Sequence, residues 1–474
     1  MSLSCSQTNN GTSPRHAETK CSFGSVAALG DRLKSAKSGP SDMSTTSRGN
    51  PIVLRFHNSI IEPGFSNQIG KCMAVSYVDV RSSAWSVFLI FIRLGLTSFG
   101  GPIAHLGYFR DEFVTRRRWL SERTYADLVA LCQLLPGPAS SQVGIALGMS
   151  RAGYGGALAA WAGFTLPSAV ALILFALGMS QCGTAIPPGV LHGLKVVAVA
   201  VVAQAVWGMA RHLCTDVPRI TLMAIATCAA LLAPSALGQV CVIVAAGLAG
   251  LLLFKPRQRV EHEPLPITIS HRAGAVWLSL FLILLLGLPL LNQLLPNQTV
   301  ALVDAFYRSG SLVFGGGHVV LPLLQAEVVP SGWVSNEVFL AGYGAAQAVP
   351  GPLFTFAAFL GASMNAPPSG WAGGMICLLA IYVPSFLITL GALPFWEQLR
   401  RSVSTQAALA GVNAAVVGLL LAALYQPVWT SAILQPEDFG LALLALVALM
   451  FWKLAPWLVV IGSGIAGWVL SVMM

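Results

Sequence analysis

The chain has 474 residues, of which 27 are Lys or Arg and 18 are Asp or Glu, so 9% of it is charged and its net charge is +9. Soluble proteins carry charge on about a quarter of their residues. With 55% hydrophobic residues and a mean hydropathy of +0.73, the chain cannot cover a soluble globule of this size with polar groups, which excludes a soluble enzyme. The apolar blocks are about 20 residues long, the length of a membrane-crossing helix, and the alternating strands of an outer-membrane barrel are absent.

The first segment, residues 1–82, is rich in Ser, Gly, Asn and Thr and contains no long apolar run, so we expect a disordered N-terminal extension. It lacks the apolar core of a signal peptide. Three interpretations stay open. Translation starts at Met43 or Met73, or the segment is a cytoplasmic tail, or it is a targeting peptide.

The rest of the chain predicts an all-α, polytopic membrane protein with about thirteen transmembrane segments. The first six lie near 85–104, 125–149, 153–179, 187–210, 217–232 and 236–254. After a polar stretch, seven more lie near 273–293, 299–323, 337–363, 370–394, 405–424, 438–452 and 455–473. The predicted domains are the extension at 1–82, a first transporter repeat at 83–254, a linker with a connecting helix at 255–298, and a second repeat at 299–474.

The two halves repeat each other. Six residues between Phe91 and Gly101 recur 215 positions later as Phe306, Arg308, Gly310, Phe314, Gly315 and Gly316. The segment Gln133–Pro138 recurs as Gln347–Pro352. Six segments per repeat with one connecting segment predict halves of inverted topology, as in secondary transporters whose substrate site lies at the repeat interface. Two parallel copies are the alternative.

Glycine and proline interrupt the helices at equivalent places in both halves. The predicted helix breaks are Pro102, Pro136, Gly137, Pro138, Pro350, Gly351 and Pro352. Proline ends one helix and can begin the next, and the free N–H groups at a helix start attract anions. A kink that only relieves packing is the alternative interpretation.

Candidate substrate-binding residues cluster at these breaks. A guanidinium in an apolar block is costly and its planar fork suits a tetrahedral oxyanion, so we expect Arg93 and Arg308 to neutralise the substrate, with snorkelling to headgroups as the alternative. The glycines expected to offer backbone N–H groups are Gly100, Gly101, Gly315 and Gly316. The polar candidates beside the breaks are Ser98, His105, Gln133, Ser140, Ser141, His318, Gln347 and Thr355. Each histidine could instead be a satisfied core residue.

Scarce carboxylates favour an anion as substrate. Only Asp127, Asp304 and Glu327 approach the apolar segments, whereas a cation site would need carboxylates near the midplane. No metal site and no cofactor is predicted, because the cysteines lack metal-ligand spacing. The basic residues lie in short loops that orient helices, which argues against nucleic-acid binding, and the catalytic motifs of membrane hydrolases are absent.

At these motifs the sequence resembles the chromate ion transporter family in its long form with two homologous halves. The resemblance covers residues 85–473 and rests on Arg93–Pro102 followed by His105, Gln133–Pro138, Phe314–His318 and Gln347–Pro352. It implies a multi-pass protein of the plasma (inner) membrane that exports chromate and confers chromate resistance, with sulfate as an analogue and counter-ion. Its expected partners are the oxyanion and the lipid bilayer, and a homodimer stays open. We expect alternating access by rocking of one half against the other. A carrier of sulfate or another oxyanion, an anion channel and a polytopic enzyme are the alternatives.

Overall fold

A computed structural model describes residues 83–181, 187–254, 269–314, 316–396 and 402–473. The described residues form helices and no strand, which confirms the all-α prediction. The predicted extension at 1–82, most of the predicted linker and Gly315 lie outside the described residues. The predicted domain boundaries therefore stay predictions.

The described residues of the first half form seven α-helices. They are α1 (Ala84–Thr97), α2 (Gly101–Arg110), α3 (Glu122–Leu134), α4 (Ala139–Gln181), α5 (Pro188–Leu213), α6 (Val217–Leu232) and α7 (Ala236–Leu253). A π-helical turn at Asp111–Arg116 extends α2. The backbone leaves helical geometry at Ala152 and Gly153, which divides α4 into two arms. Ser83 and Ser121 begin α1 and α3 by accepting hydrogen bonds from the first-turn N–H groups.

The described residues of the second half and its connecting helix form nine α-helices of seven residues or more. They are α8 (His271–Leu294), α9 (Gln298–Ser311), α10 (Val320–Val328), α11 (Asn336–Ala346), α12 (Phe356–Ala362), α13 (Gly370–Ala392), α14 (Val403–Ala423), α15 (Pro436–Met450) and α16 (Pro456–Met473). Short 3-10 turns at Gly317–Val319 and Leu353–Thr355 precede α10 and α12.

Within the described ranges, seven helices are long and apolar enough to cross a membrane. They are α4, α5, α7, α8, α13, α14 and α16. The predicted count of about thirteen segments stays a prediction, but the structure splits four of the segments into helix pairs. The split segments are 85–104, 125–149, 299–323 and 337–363, which become α1 with α2, α3 with the first arm of α4, α9 with α10, and α11 with α12.

The pair α1 and α2 folds back on itself as a helical hairpin. The Phe91 ring of α1 lies 5.5 Å from that of Phe109 and 5.2 Å from that of Phe113. Ser83, at the start of α1, lines the same groove as Arg117, which follows the π-helical turn. Both outer ends of this hairpin therefore lie on one side of the protein.

The second pair is also a hairpin, because Arg151 at the end of the first arm of α4 donates to the Trp119 carbonyl oxygen, 3.2 Å away, just before α3. The equivalent contact in the second half joins Asn365, after α12, to the Trp333 carbonyl oxygen before α11 at 3.0 Å. The repeat of this contact indicates that both halves use the same hairpin design.

The helices pack into two bundles, each built from both halves. A hairpin bundle contains α1–α4 and α8–α13, and a crossing bundle contains α5–α7 and α14–α16; α11 connects the two, because its main packing partner is α5. Within the crossing bundle, α5 packs on α16 where Gly193 meets Gly464, and α14 packs on α7 where Gly411 meets Gly250. Glycines allow this close backbone approach between membrane helices. The exchange of helices between the halves means that neither half is a separate body.

Candidate functional site

The interrupted segments of the two halves meet in the middle of the protein through glycines in left-handed conformations. Gly100 and Gly101 have φ of 99° and 77°, and Gly316 has φ of 155°. The Pro-Gly-Pro glycines, Gly137 and Gly351, have φ of 124° and 106°. A side chain would strain the backbone in this region, so glycine is what allows the chain to turn here.

Backbone hydrogen bonds join these segments reciprocally. The Gly137 N–H donates to the Val313 carbonyl oxygen at 2.7 Å, and the Gly351 N–H donates to the Ser98 carbonyl oxygen at 2.9 Å. Ser98 and Val313 occupy equivalent repeat positions, as do the two glycines. Each half therefore offers the same donor and the same acceptor to the other, which indicates an approximate two-fold relation between them.

We call these two contacts, Gly137 with Val313 and Gly351 with Ser98, the joint between the halves. New helices begin beside this joint. α2 begins at Gly101 with Pro102 in its first turn, and the 3-10 turn before α12 begins at Leu353, directly after Pro352. The residues around Pro136 and Pro350 lie outside helices. Because the first N–H groups of a helix have no partner within it, these starts present donors.

A cavity of about 60 Å³ lies against the joint, and we call it the central cavity. It is lined by Gly100, Gly101, Val201, Gln204, His318, Ala346, Gln347, Val349, Gly351, Leu353, Leu449 and Pro456. A water molecule needs roughly 10–15 Å³ on this measure, so the volume suits several waters or one small oxyanion. The crossing bundle contributes Val201, Gln204, Leu449 and Pro456, so the cavity lies between the two bundles.

His318 lies in the wall of the central cavity. Its Nδ1 is 2.8 Å from the Tyr343 hydroxyl oxygen, and its Nε2 is 3.8 Å from the place where a Cβ of Gly101 would lie. His105 is buried beside the Ser98 backbone, and its ring is edge-on to Phe164 at 5.3 Å. His105 does not line the cavity, so the structure gives the two histidines different surroundings.

The two predicted glutamines also differ. Gln347 lines the central cavity, and its buried side-chain nitrogen has no hydrogen-bond partner within the described ranges. Gln133, its repeat equivalent, is exposed. Only one of the pair is therefore placed to bind a ligand in the cavity.

The predicted arginines lie away from the central cavity. Arg308 forms ion pairs at 3.1 Å with both Asp304 and Glu327. Arg93 is exposed and lines a surface groove of about 330 Å³, which we call the arginine groove. Its lining residues are Ser83, Trp85, Ser86, Leu89, Ile90, Arg93, Glu112 and Arg117. Sequence analysis missed that Glu112 is the repeat equivalent of Glu327, 215 positions earlier.

The predicted hydroxyl residues are buried near the joint rather than in the cavity wall. Ser98, Ser140, Ser141 and Thr355 are each at most 2% exposed. Thr355 donates to the Pro352 carbonyl oxygen at 2.8 Å.

Sequence analysis missed a buried polar layer where α4 meets α13. The Tyr382 hydroxyl lies beside the hydroxyls of Ser141 and Thr165. In the described part of the chain, Trp161 Nε1 and the Ser385 hydroxyl have no hydrogen-bond partner. The sequence offered one signal for this layer. Each of the two helices contains a proline at the corresponding place in the repeat, and Thr165 and Tyr382 each lie two residues before it. Sequence analysis also missed Gln204, a lone amide in the apolar run of α5.

Comparison with known proteins gives the family. A family model described as chromate transporter matches the chain twice, over residues 85–251 and 300–468. The chain belongs to the chromate transporter family. The double match also confirms that the chain has two homologous halves.

Its relatives are named as transport proteins. A chromate transport protein of Pseudomonas aeruginosa is 29% identical over 409 residues, which are 81% of this chain and 91% of the relative. An uncharacterized transporter of Methanocaldococcus jannaschii is 27% identical over 72% of this chain and 83% of the relative. An uncharacterized transporter of Bacillus subtilis is 32% identical over 27% of this chain and 71% of the relative. No solved structure matches. This member of the chromate transporter family is thus a multi-pass membrane transporter and not an enzyme.

Proposed function

We propose that the chain is a secondary transporter that exports chromate, with the central cavity as its substrate site. The observation that carries this proposal is the reciprocal joint, where two pairs of broken helices meet beside a cavity that both bundles line. Broken helices that meet at a repeat interface are how secondary transporters build substrate sites. The names of the relatives from Pseudomonas aeruginosa and Cupriavidus metallidurans support chromate as the substrate.

Neutral donors bind the dianion in this proposal. The helix starts at Gly101 and Leu353 offer N–H groups, and the Gln347 amide offers another donor. The Tyr343 hydroxyl and His318 Nδ1 share a hydrogen bond, and in the tautomer in which Nδ1 accepts it the ring proton lies on Nε2, facing Gly101. The direct role predicted for Arg93 and Arg308 has no support in this arrangement, because neither lines the cavity.

We further propose that the halves have inverted topology. If the four hairpins return to the side from which they enter, nine helices cross, beginning with the second arm of α4. Five of these crossings, ending with α8, separate the start of the second half from that of the first. Because five is odd, the two repeats begin on opposite sides of the membrane.

Contacts at the two ends of the helices support this topology. The ring of Tyr154, after the turn in α4, contacts that of Trp277 near the start of α8 in a tilted arrangement, with ring centroids 5.9 Å apart. At the other end, His192 near the start of α5 lies 2.6 Å from Asp438 near the start of α15. The loop from Arg110 to Arg123, with five arginines, then shares a side with the other basic loops, as the positive-inside rule expects.

Alternating access then consists of movement between the bundles, because the exchanged helices prevent one half from rocking as a unit. Gln347 belongs to the hairpin bundle and Gln204 to the crossing bundle, so relative movement would open the cavity to one side and close it to the other. A second, apolar cavity of about 400 Å³ between Leu172 and Ala345 on one bundle and Leu194 and Val460 on the other leaves room for such movement.

Uptake of radiolabelled chromate by everted membrane vesicles tests the proposal. We expect uptake that depends on an energised membrane and that sulfate inhibits, because tetrahedral dianions accept the same hydrogen bonds. Gln347→Leu should lower the initial rate about tenfold, the loss of roughly one hydrogen bond to a charged group. Gln133→Leu is the matched control, since it is the exposed repeat equivalent.

Three results would overturn the proposal. If Gln347→Leu and Gln133→Leu lower the initial rate of chromate uptake equally, the central cavity is not the substrate site. Chromate flux that needs no energy and far exceeds carrier rates would make the protein an anion channel. Uptake of labelled sulfate with no uptake of chromate would assign the same cavity to a sulfate carrier.

A further inference from the structure

We propose that the arginine groove binds the phosphate group of an anionic phospholipid from the surrounding membrane. This is a second anion site, separate from the central cavity, and its orientation in the membrane rests on the topology proposed above. Three features of the protein support this site. They are an excess of positive charge in the groove, the absence of that excess at the equivalent place in the second half, and exposed apolar side chains around the charge.

The groove contains more cations than carboxylates. Glu112 accepts from Arg117 Nε at 2.6 Å and from Arg116 at 3.0 Å, so both of its oxygens are already bound. Arg93 lines the same groove and forms no ion pair with any other described residue. Two guanidinium groups, those of Arg93 and Arg117, therefore line the groove with one carboxylate, and this leaves a net positive charge for an added anion.

The fold does not require this excess charge. At the equivalent place in the second half, Arg308 is neutralised by two carboxylates, Asp304 and Glu327. The positions equivalent to Arg116 and Arg117 are Ser331 and Gly332. The same backbone design thus exists without the extra arginines, so the hairpin does not depend on them for its fold.

Apolar side chains beside the charge identify the anion as a lipid. Trp85 is 66% exposed and Leu89 is 50% exposed, and with Arg93 they follow each other at intervals of four residues on α1. An exposed apolar stripe on a membrane helix contacts acyl chains, and tryptophan prefers the depth of the headgroups. The stripe places the groove at the lipid-facing surface, so a phospholipid can bring its phosphate to the guanidiniums while its acyl chains stay in the bilayer.

The proposed orientation favours an anionic lipid. It places the groove in the cytoplasmic leaflet, next to the loop with five arginines between Arg110 and Arg123. The cytoplasmic surface is negatively charged because anionic lipids gather there, and basic segments bind it. Arginine suits the phosphate, since its fork donates two parallel hydrogen bonds.

Lipid binding to the purified full-length protein in detergent tests this proposal. Phosphatidylglycerol with brominated acyl chains should quench the fluorescence of Trp85, measured as the difference between the wild type and Trp85→Phe. Phosphatidylglycerol should also raise the melting temperature of the wild type. We expect Arg93→Gln to weaken binding at least tenfold by both measurements. Arg110→Gln is the matched control, because Arg110 has its own partner, Glu122, at 2.6 Å.

Three outcomes would overturn the proposal. If Arg93→Gln binds phosphatidylglycerol as tightly as the wild type does, Arg93 is not part of a lipid site. If Arg93→Gln fails to fold, Arg117→Gln provides the same test. Equal binding of phosphatidylcholine would remove the need for an anionic headgroup. An Arg93-dependent rise in melting temperature with inorganic sulfate alone would assign the groove to a free oxyanion.

Discussion

Gly137 and Gly351 are the residues on which the joint between the halves depends. A Cβ at Gly137 would lie 2.7 Å from the Ser385 hydroxyl oxygen, and one at Gly351 would lie 2.5 Å from that of Ser168. Both glycines also have positive φ, where a side chain costs about 1–3 kcal/mol. We therefore predict that Gly351→Ala lowers the melting temperature and abolishes most chromate uptake.

Gly287→Ala is the control for this prediction, because a Cβ there meets no atom within 4 Å. The double variant Gly351→Ala with Ser168→Ala should recover part of the stability by removing the collision but not the backbone strain. Wild-type uptake and melting temperature in Gly351→Ala would show that the joint tolerates a side chain.

Glu112 makes stability depend on pH. Burial opposes ionisation of this carboxyl, but hydrogen bonds from Arg117 and Arg116 outweigh burial and hold its pKa below its ordinary value of 4.5. A carboxyl whose folded-state pKa is lowered stabilises the fold above its ordinary pKa and loses that effect as the pH falls through the folded-state value. The contribution should therefore be complete at neutral pH and should vanish in acid.

The test compares melting temperatures of the wild type and Glu112→Gln between pH 7 and about pH 3. We expect the variant to be less stable at pH 7 and the difference to shrink in acid. Glu122→Gln, whose partner Arg110 is largely exposed, should show a smaller difference at pH 7. A constant difference across this range would mean that the ionised carboxylate contributes nothing.

The sequence predicts helix interruptions, because the preferences of a few neighbouring residues decide them. It does not predict which side chains meet in the folded protein. The costs of glycine and proline in a helix act within a few residues, so the interruptions at Pro136 and Pro350 could be placed in advance. Whether Arg93 faces lipid or the interior depends on which face of α1 packs against α4, and hydropathy does not encode this. The pairing of Arg308 with Glu327 could not be predicted from the sequence, because it depends on the chain folding back between them.

At the scale of the helices, the hairpins make a prediction about sides of the membrane. Thr115 ends the first hairpin and Ser331 lies at nearly the equivalent point of the third, α9 with α10, and both are exposed. In a background without native cysteines, Thr115→Cys and Ser331→Cys should react with an impermeant maleimide from opposite sides. Everted vesicles and intact cells separate the two sides.

Cysteine at Ala152, in the turn of α4, is the positive control for the side of Thr115, since Arg151 contacts Trp119. Labelling of Thr115→Cys and Ser331→Cys from the same side would establish parallel repeats. Apolar segments alone could not give this answer, because a re-entrant hairpin and a single crossing have the same length and composition.

At the scale of the whole molecule, the exchanged helices predict how the halves depend on each other. α5 of the first half packs on α16 of the second, and α14 of the second packs on α7 of the first. A half expressed alone would expose these glycine-lined faces, so residues 1–260 alone should be degraded. Co-expression with residues 261–474 should restore both proteins and chromate uptake, because the cut falls between α7 and α8.

Immunoblots of membranes and vesicle uptake measure this outcome. A control cut within α5, after Val201, should not be rescued, because it divides a helix that lines the central cavity. Full accumulation of the first half by itself would contradict the exchange of helices.

The joint also bears on how the two halves have been able to diverge. Both of its cross-connections run from a glycine N–H to a main-chain carbonyl, at Ser98 in one direction and at Val313 in the other. Every residue has such a carbonyl, so a change of side chain at the acceptor position leaves the hydrogen bond in place. Serine occupies this position in the first half and valine occupies it in the second. After a gene duplication, each copy could acquire its own side chains around the cavity while the mechanical coupling between the copies was inherited intact.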